Sequence, residues 1–494
     1  MAGEHLSGLD TAFWYLDDPV APMNIGALVI FQPTRSVNVE KLVRLLAERI
    51  GRIPRLRQHV REVTIPPTAE WTDDPQFQVE THLRICCLAR SGSRDQLNDY
   101  AAAAMARQLD TTRPPWEIHI ITGLPDKRFA LLVKIHHAIT DGQSSGHLFA
   151  SIYEGVSTAF ETTAAVSGTT GHHADDTGPS LPRPARWLPS IASLVKPVTN
   201  LASQTARHAH IMAALARNIR LRGASPLVGK TSGPQREFTT VTLDVAAVNR
   251  IRRHRRATTH DIVLAVLAGA LREWLETSGY QPGKCKPRAL IPVALRNRGT
   301  VPNPGNHLSS YLCELPVSEP DPARRLDTVR TTMDRNKANG PYRGAGAFTT
   351  LANTLPAAAH RLLAPLAAQS AMLLFDILVS NVPMAGDTVR LANAPMCELY
   401  AMVPLARGHG LAVSITASRH FVGLALYSDP SILPNVAAIR DALPRALAEL
   451  DTATASLPVQ HGSRARVSAS DRVRAATRVA SPLPAPGSTT GPPA

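Results

Sequence analysis

Cysteine is scarce in this chain: five in 494 residues, at positions 86, 87, 285, 313 and 397, with no Cys-x-x-Cys spacing. An odd number so spaced argues against a disulfide framework and a cysteine-ligated zinc site, and it suits a reducing compartment. Long apolar runs are missing as well. No uninterrupted stretch reaches the roughly 18 residues that a membrane span needs. The nearest approach, Leu362 to Phe375, is broken by Pro365 and Gln369. The opening Met1-Ala2-Gly3-Glu4-His5 has neither a basic n-region nor an apolar h-region, so no secretory leader is expected. No internal repeat of fixed period occurs. Acids are outnumbered, 39 against 53 Lys and Arg, for a formal charge of +14.

What is present is the composition of a soluble globular protein, 44% hydrophobic, long enough for two or three cores. The positive charge is uneven. Between Lys196 and Arg256 twelve Lys or Arg face two acids, Glu237 and Asp244. The tail from Leu457 adds five Arg against Asp471. Such runs read as sites for phosphates, an acidic membrane surface or nucleic acid, or as a solvated basic face.

Apolar periodicity divides the chain. An α/β segment, 1–158, holds a strand at Met23 to Phe31 and an amphipathic helix at Val39 to Ile50. An Ala-rich helix at Asp95 to Leu109 follows, then strands at Glu117 to Gly123 and Arg128 to Ile135, and a helix near Ser144 to Tyr153. Residues 159–235 are a Thr/Gly/Ser/Pro linker and a basic helical crossover, best formed at His208 to Leu221. A second α/β segment, 236–455, has a helix at Thr259 to Glu276. Its strands are expected near Phe238 to Leu243, Arg288 to Val293, Ser310 to Pro316, Ile377 to Asn381, Cys397 to Met402, Leu411 to Ala417 and Phe421 to Tyr427. The remainder, 456–494, reads as a disordered basic, Pro-rich tail.

The run Phe129-Ala-Leu-Leu-Val-Lys-Ile135 ends in His136-His137, with Asp141-Gly142 four residues on. A strand that ends so puts an imidazole at the sheet edge, where it can serve as a general base. Gly142 is free to take the positive φ of a tight turn. A histidine pair alone also reads as core or surface imidazoles; the whole pattern His-His-x-x-x-Asp-Gly is far rarer by chance.

That pattern resembles the catalytic motif of the CoA-dependent acyltransferase superfamily, and other segments resemble its bacterial wax ester synthase/diacylglycerol acyltransferase branch. These are Leu6-Ser7-Gly8-Leu9-Asp10-Thr11-Ala12-Phe13, Pro22 to Ala27, Asp110 to Glu117 with Pro114-Pro115-Trp116, Asp261 to Ala265, Pro292 to Arg296 with Gly305-Asn306, Ser380-Asn381-Val382-Pro383, and Tyr400 to Pro430. The likeness spans about residues 4–450. The chain departs at His260, where the family usually has Asn, and at Asn24, Pro115 and Met384.

The resemblance implies an α/β fold of two chloramphenicol-acetyltransferase-like subdomains with a substrate channel between them. It implies an O-acyltransferase that forms triacylglycerol from acyl-CoA and diacylglycerol, or wax esters from a long-chain alcohol. An acyltransferase for polyketide or glycolipid alcohols and a catalytically silent lipid-binding protein are the alternatives. His137 is expected as base and His136 as support. Asp141 either orients His137 or holds the turn through a partner such as Arg296. Asp261 reads as an N-cap or first-turn acid. Pro114, Pro115 and Trp116 are packing anchors or a channel wall. Asn306, Ser380 and Asn381 face the channel or cap turns. Arg252, Arg253 and Arg255 are candidate contacts for CoA phosphates or anionic lipid. No metal, no tightly bound cofactor and no nucleic acid are expected; acyl-CoA is the co-substrate. Attachment to the cytoplasmic face of the membrane or to lipid droplets would be peripheral, through the basic segment and Leu362 to Phe375.

Overall fold

The computed structural model describes residues 4–64, 67–89, 92–139, 151–156, 225–231, 233–294, 308–339, 359–361, 371–384 and 388–456. In the first segment the chain order is β1 (Glu4–His5), α1 (Gly8–Leu16), β2 (Asn24–Phe31), α2 (Val39–Gly51), β3 (Gln58–Thr64), β4 (Pro67–Asp73), β5 (Leu83–Cys87), α3 (Arg94–Ala106), β6 (Trp116–Thr122) and β7 (Phe129–His136). The second continues with β8 (Glu237–Thr242), α4 (Val245–Arg255), α5 (Thr259–Thr277), β9 (Arg288–Ala294), β10 (Leu308–Glu314), α6 (Pro322–Asn339), β11 (Ile377–Pro383), β12 (Arg390–Leu391), β13 (Ala394–Met402), β14 (Leu411–Ala417), β15 (Val422–Ser428) and α7 (Val436–Ala455).

Two six-stranded mixed sheets carry the fold, ordered β12-β13-β2-β7-β6-β5 and β10-β9-β11-β14-β15-β8. A small sheet, β1-β4-β3, flanks the first. Every residue of β7 is buried, as its near-continuous apolar run requires, and antiparallel pairing with β2 and β6 covers both edges. Its odd positions, Phe129, Leu131 and Val133, join α2 and Trp116 in one core. Its even positions Ala130 and Leu132 join α3 and residues of the second segment, among them Phe238, Tyr400, Leu405 and Tyr427. That alternation is the period-2 geometry of a strand buried on both faces.

Helix α5 is the axis of the second core, with Ile262 to Leu271 buried all round against α7, α6, β11 and β14. It starts with a capping box. The Thr258 hydroxyl accepts the Asp261 amide at 3.1 Å, and Asp261 Oδ2 accepts the Thr258 amide at 2.9 Å. Gly269 lets α7 and Arg325 approach this helix closely, since a Cβ there would lie 3.1 Å from Ala446 Cβ and 2.5 Å from Arg325 Nη1.

The division by sequence and the division by sheet do not coincide. Strands β12 and β13 lie within 236–455, yet β13 pairs with β2, with Ala401 opposite Ala27 and Leu399 opposite Val29. Hydrophobic patterning marks β13 as a strand but carries no information about which sheet receives it. Of the helix expected from Ser144 to Tyr153, only its end falls among the described residues.

Candidate active site

The histidines sit where β7 runs out. Register places Asn24 opposite His136. The His136 amide donates to the Pro115 carbonyl at 3.0 Å, and the His137 amide to the Met23 carbonyl at 2.8 Å. The backbone is therefore tied on two sides. The side chains are held by α1, which begins at the Ser7 N-cap and ends at Asp17. Phe13 stacks on the half-buried His137 ring, centroids 4.0 Å apart. Trp14 meets His136 edge-on at 5.1 Å. Asp17 Oδ1 accepts the Met23 amide at 2.7 Å and lies 3.9 Å from His136 Nε2, while its other oxygen accepts from Gln108.

His136 is 1% exposed, and its Nδ1 accepts the Ala138 amide at 3.1 Å. A ring that accepts at Nδ1 carries its proton on Nε2 when neutral, facing Asp17. Burial pushes its pKa down to about 4, and the His137 charge acts the same way against the opposing pull of Asp17. It is neutral at pH 7 and a weak base. Two positions earlier on the same face, Lys134 is also 1% exposed and donates to the Arg107 carbonyl at 2.6 Å. Asn24 Nδ2 donates to the Met105 and Arg107 carbonyls at 3.0 and 2.8 Å. Together they satisfy carbonyls at the C-terminal end of α3, where a cation is also favoured by the helix dipole. Burial lowers the Lys134 ammonium to about 8, against the opposing charge of Glu117.

Polar residues also collect in the second segment. Helix α4 carries Asn249, Arg252 and Arg253, and Arg256 follows with φ of 52°, a left-handed turn into Thr258. These residues line a cleft of about 880 Å³ with Thr259, His260, Asn381 and Ala417. Arg252, Arg253 and Arg256 are exposed. Both ring nitrogens of His260 are buried with no hydrogen-bond partner, as is Asp261 Oδ1. Burial holds the His260 ring down to about 4, despite the Asp261 charge. Among the described residues no group of His, Cys, Asp or Glu could hold a metal ion.

Residues 6–263 match the model of the wax ester synthase/diacylglycerol acyltransferase catalytic domain, and residues 304–451 that of the WS/DGAT C-terminal domain. The chain belongs to the wax ester synthase/diacylglycerol acyltransferase family. A Mycobacterium tuberculosis relative named as a diacylglycerol O-acyltransferase is 27% identical over 462 residues, covering 90% of this chain and 95% of its own. A wax ester synthase/diacylglycerol acyltransferase structure from Marinobacter aquaeolei VT8 aligns over 92% of this chain and 100% of its own, at 23% identity and TM-score 0.66. The first condensation domain of the calcium-dependent antibiotic synthetase shares the fold, with TM-score 0.59, 15% identity and coverage of 94% and 99%.

In this wax ester synthase/diacylglycerol acyltransferase member, several sequence expectations take a definite place. Trp116, expected as anchor or channel wall, is an anchor. It is 1% exposed, stacks on His82 at 4.5 Å and donates from Nε1 to the Leu56 carbonyl at 2.8 Å. Pro114 and Pro115 are buried beside it, and the Pro115 carbonyl positions His136. Arg255 is also corrected: it is buried, with Nη2 2.5 Å from Asp327 Oδ2 on α6, so it cannot serve a phosphate. Arg256 takes its place in the cleft. Asn381 lines that cleft, whereas Ser380, one residue back on β11, projects from the opposite face. Asp261 is the N3 acid of its capping box. Asp141, Gly142, Arg296 and Asn306 lie outside the described residues. The sequence reading missed Phe13, Trp14, Asp17 and Lys134. The aromatic run Phe13-Trp14-Tyr15 and a lysine inside an apolar strand were the available signals.

Proposed function

We propose that this chain transfers the acyl group of acyl-CoA to the free hydroxyl of diacylglycerol, giving triacylglycerol and CoA. The observation that carries this is the immobilised His136-His137 pair at the end of β7 in a member of this acyltransferase family. His137 acts as general base. It takes the hydroxyl proton as that oxygen attacks the thioester carbon. The C–S bond breaks, and the proton passes to the departing CoA thiolate. No covalent acyl-enzyme is needed, because the thiolate is a good leaving group. His136, neutral and fixed between Ala138, Trp14 and Asp17, positions the turn that presents His137.

Acyl-CoA is a co-substrate, and no tightly bound cofactor takes part. The exposed Arg252, Arg253 and Arg256 meet its phosphates, for which guanidinium groups are well suited. No helix among the described residues is long and apolar enough to cross a membrane. Access to a lipid acceptor is by peripheral contact, to which the basic segment contributes. Long-chain alcohols are a second acceptor class, favoured by the name of the family whose model the chain matches.

The test offers labelled palmitoyl-CoA with diacylglycerol, with hexadecanol or with neither, and separates the products by thin-layer chromatography. Labelled triacylglycerol is expected. Label released only as free fatty acid would sink the reading.

A further inference from the structure

The cleft beside α5 has two chemically distinct parts. Its solvent-facing edge is cationic, formed by Arg252, Arg253 and Arg256. His260 lines the same cleft, and its Nδ1 and Nε2 are both buried and without a hydrogen-bond partner. Leaving such atoms unsatisfied is costly, so they are poised for a ligand that supplies the missing bonds. A phosphate suits His260 poorly, because its oxygens only accept and would leave the accepting nitrogen of a neutral imidazole unsatisfied. An amide suits a neutral imidazole, because its carbonyl accepts from the protonated nitrogen and its N–H can donate to the other.

We propose that His260 is a specificity-determining residue that hydrogen-bonds an amide of the acyl donor's pantetheine arm, inward of the arginines that meet the phosphates. This rests on the reading that the donor is acyl-CoA. It assigns a role to the position at which this chain departs from its family's usual Asn. Imidazole and carboxamide each offer one donor and one acceptor face here, so the substitution conserves the hydrogen-bonding capacity and changes its reach. The ring stays neutral because it is buried, which keeps one nitrogen a donor and the other an acceptor at physiological pH.

The experiment measures steady-state transfer to diacylglycerol from two donors, palmitoyl-CoA and palmitoyl-pantetheine, which lacks the phosphates. The chains compared are wild type, H260A, H260L and H260N. H260A and H260L should raise KM about tenfold for both donors, with kcat unchanged, as expected for loss of one or two buried hydrogen bonds. H260N should stay near wild type. A KM unchanged in H260A overturns the proposal. So does a KM rise confined to palmitoyl-CoA, which would make His260 a phosphate contact. Recovery by H260L also overturns it, since that would mark a packing role. If the wild type uses neither donor, the acyl-CoA reading itself fails, and that outcome is distinct from all the others.

Discussion

At the end of β7, His136 is enclosed by the Ala138 amide, the edge of Trp14 and the Asp17 carboxylate. At the start of α5 both ring nitrogens of His260 are buried without a partner, whereas at His136 only Nε2 lacks one. Both rings are kept neutral by burial, each held down to about 4. The difference lies in what surrounds them. The first half spends Phe13, Trp14 and Asp17 on the two rings and the Met23 and Pro115 carbonyls on their backbone, as a reaction that needs a base in one position demands. The second half leaves both nitrogens of one ring unpaired beside exposed arginines, as suits a surface that must release what it binds.

The sharpest way to break this comparison is at the base. His137→Ala should lower kcat by about 10²- to 10⁴-fold, the usual worth of a general base, without changing the melting temperature. Full activity would refute the assignment.

The next effect is on stability in acid. His136 and His260 have folded pKa values near 4, below the ordinary 6.5 of an unfolded histidine. Between these values the unfolded chain binds more protons, so stability falls as pH drops from 6.5 towards 4, by up to about 3 kcal/mol per ring. Denaturant midpoints at pH 7 and pH 4.5 should show a smaller loss for His136→Gln than for wild type; equal losses would mean that His136 is not kept neutral.

Loosening the clamp comes third. Phe13→Leu keeps an apolar contact but removes the stacked ring, and it should cut kcat about tenfold with KM unchanged, the signature of misplaced catalytic geometry. A change in KM alone would place Phe13 in acceptor binding. The smallest effect distinguishes neighbouring arginines. Arg252→Glu with Arg253→Glu should raise KM for palmitoyl-CoA severalfold at low salt and leave melting unchanged, as exposed charges do. Arg255→Ala should do the reverse, lowering the melting temperature through loss of its buried packing and of its bond to Asp327.

Much of this was legible from local pattern. Strands β2, β6, β7, β9, β11, β14 and β15 and helices α2, α3 and α5 announce themselves by apolar periodicity, and their ends differ by a residue or two, except that α3 stops three residues before the expected Leu109. Helices α1, α4, α6 and α7 and the β3–β4 hairpin escaped. Helix α4 is mostly polar, and the alternation in Gln58-His-Val-Arg-Glu-Val-Thr64 involves only two apolar residues. The Arg255 error was avoidable. Asn249, Arg252, Arg253 and Arg256 recur at i, i+3, i+4 and i+7, while Arg255 shares the buried face of Val248 and Ile251. The grip of Phe13 on His137 was not legible, since it joins residues more than a hundred positions apart.

The β12–β13 excursion has a consequence for taking the molecule apart. A chain severed in the 159–235 crossover would give an amino-terminal fragment whose β2 has an open hydrogen-bonding edge, and a carboxy-terminal fragment trailing an unpaired ribbon. Neither piece is a self-sufficient module. Co-expressed, they should reconstitute by strand complementation; expressed singly, each should be prone to edge-to-edge aggregation. The two halves, however alike in architecture, can be inherited, exchanged or engineered only as one unit.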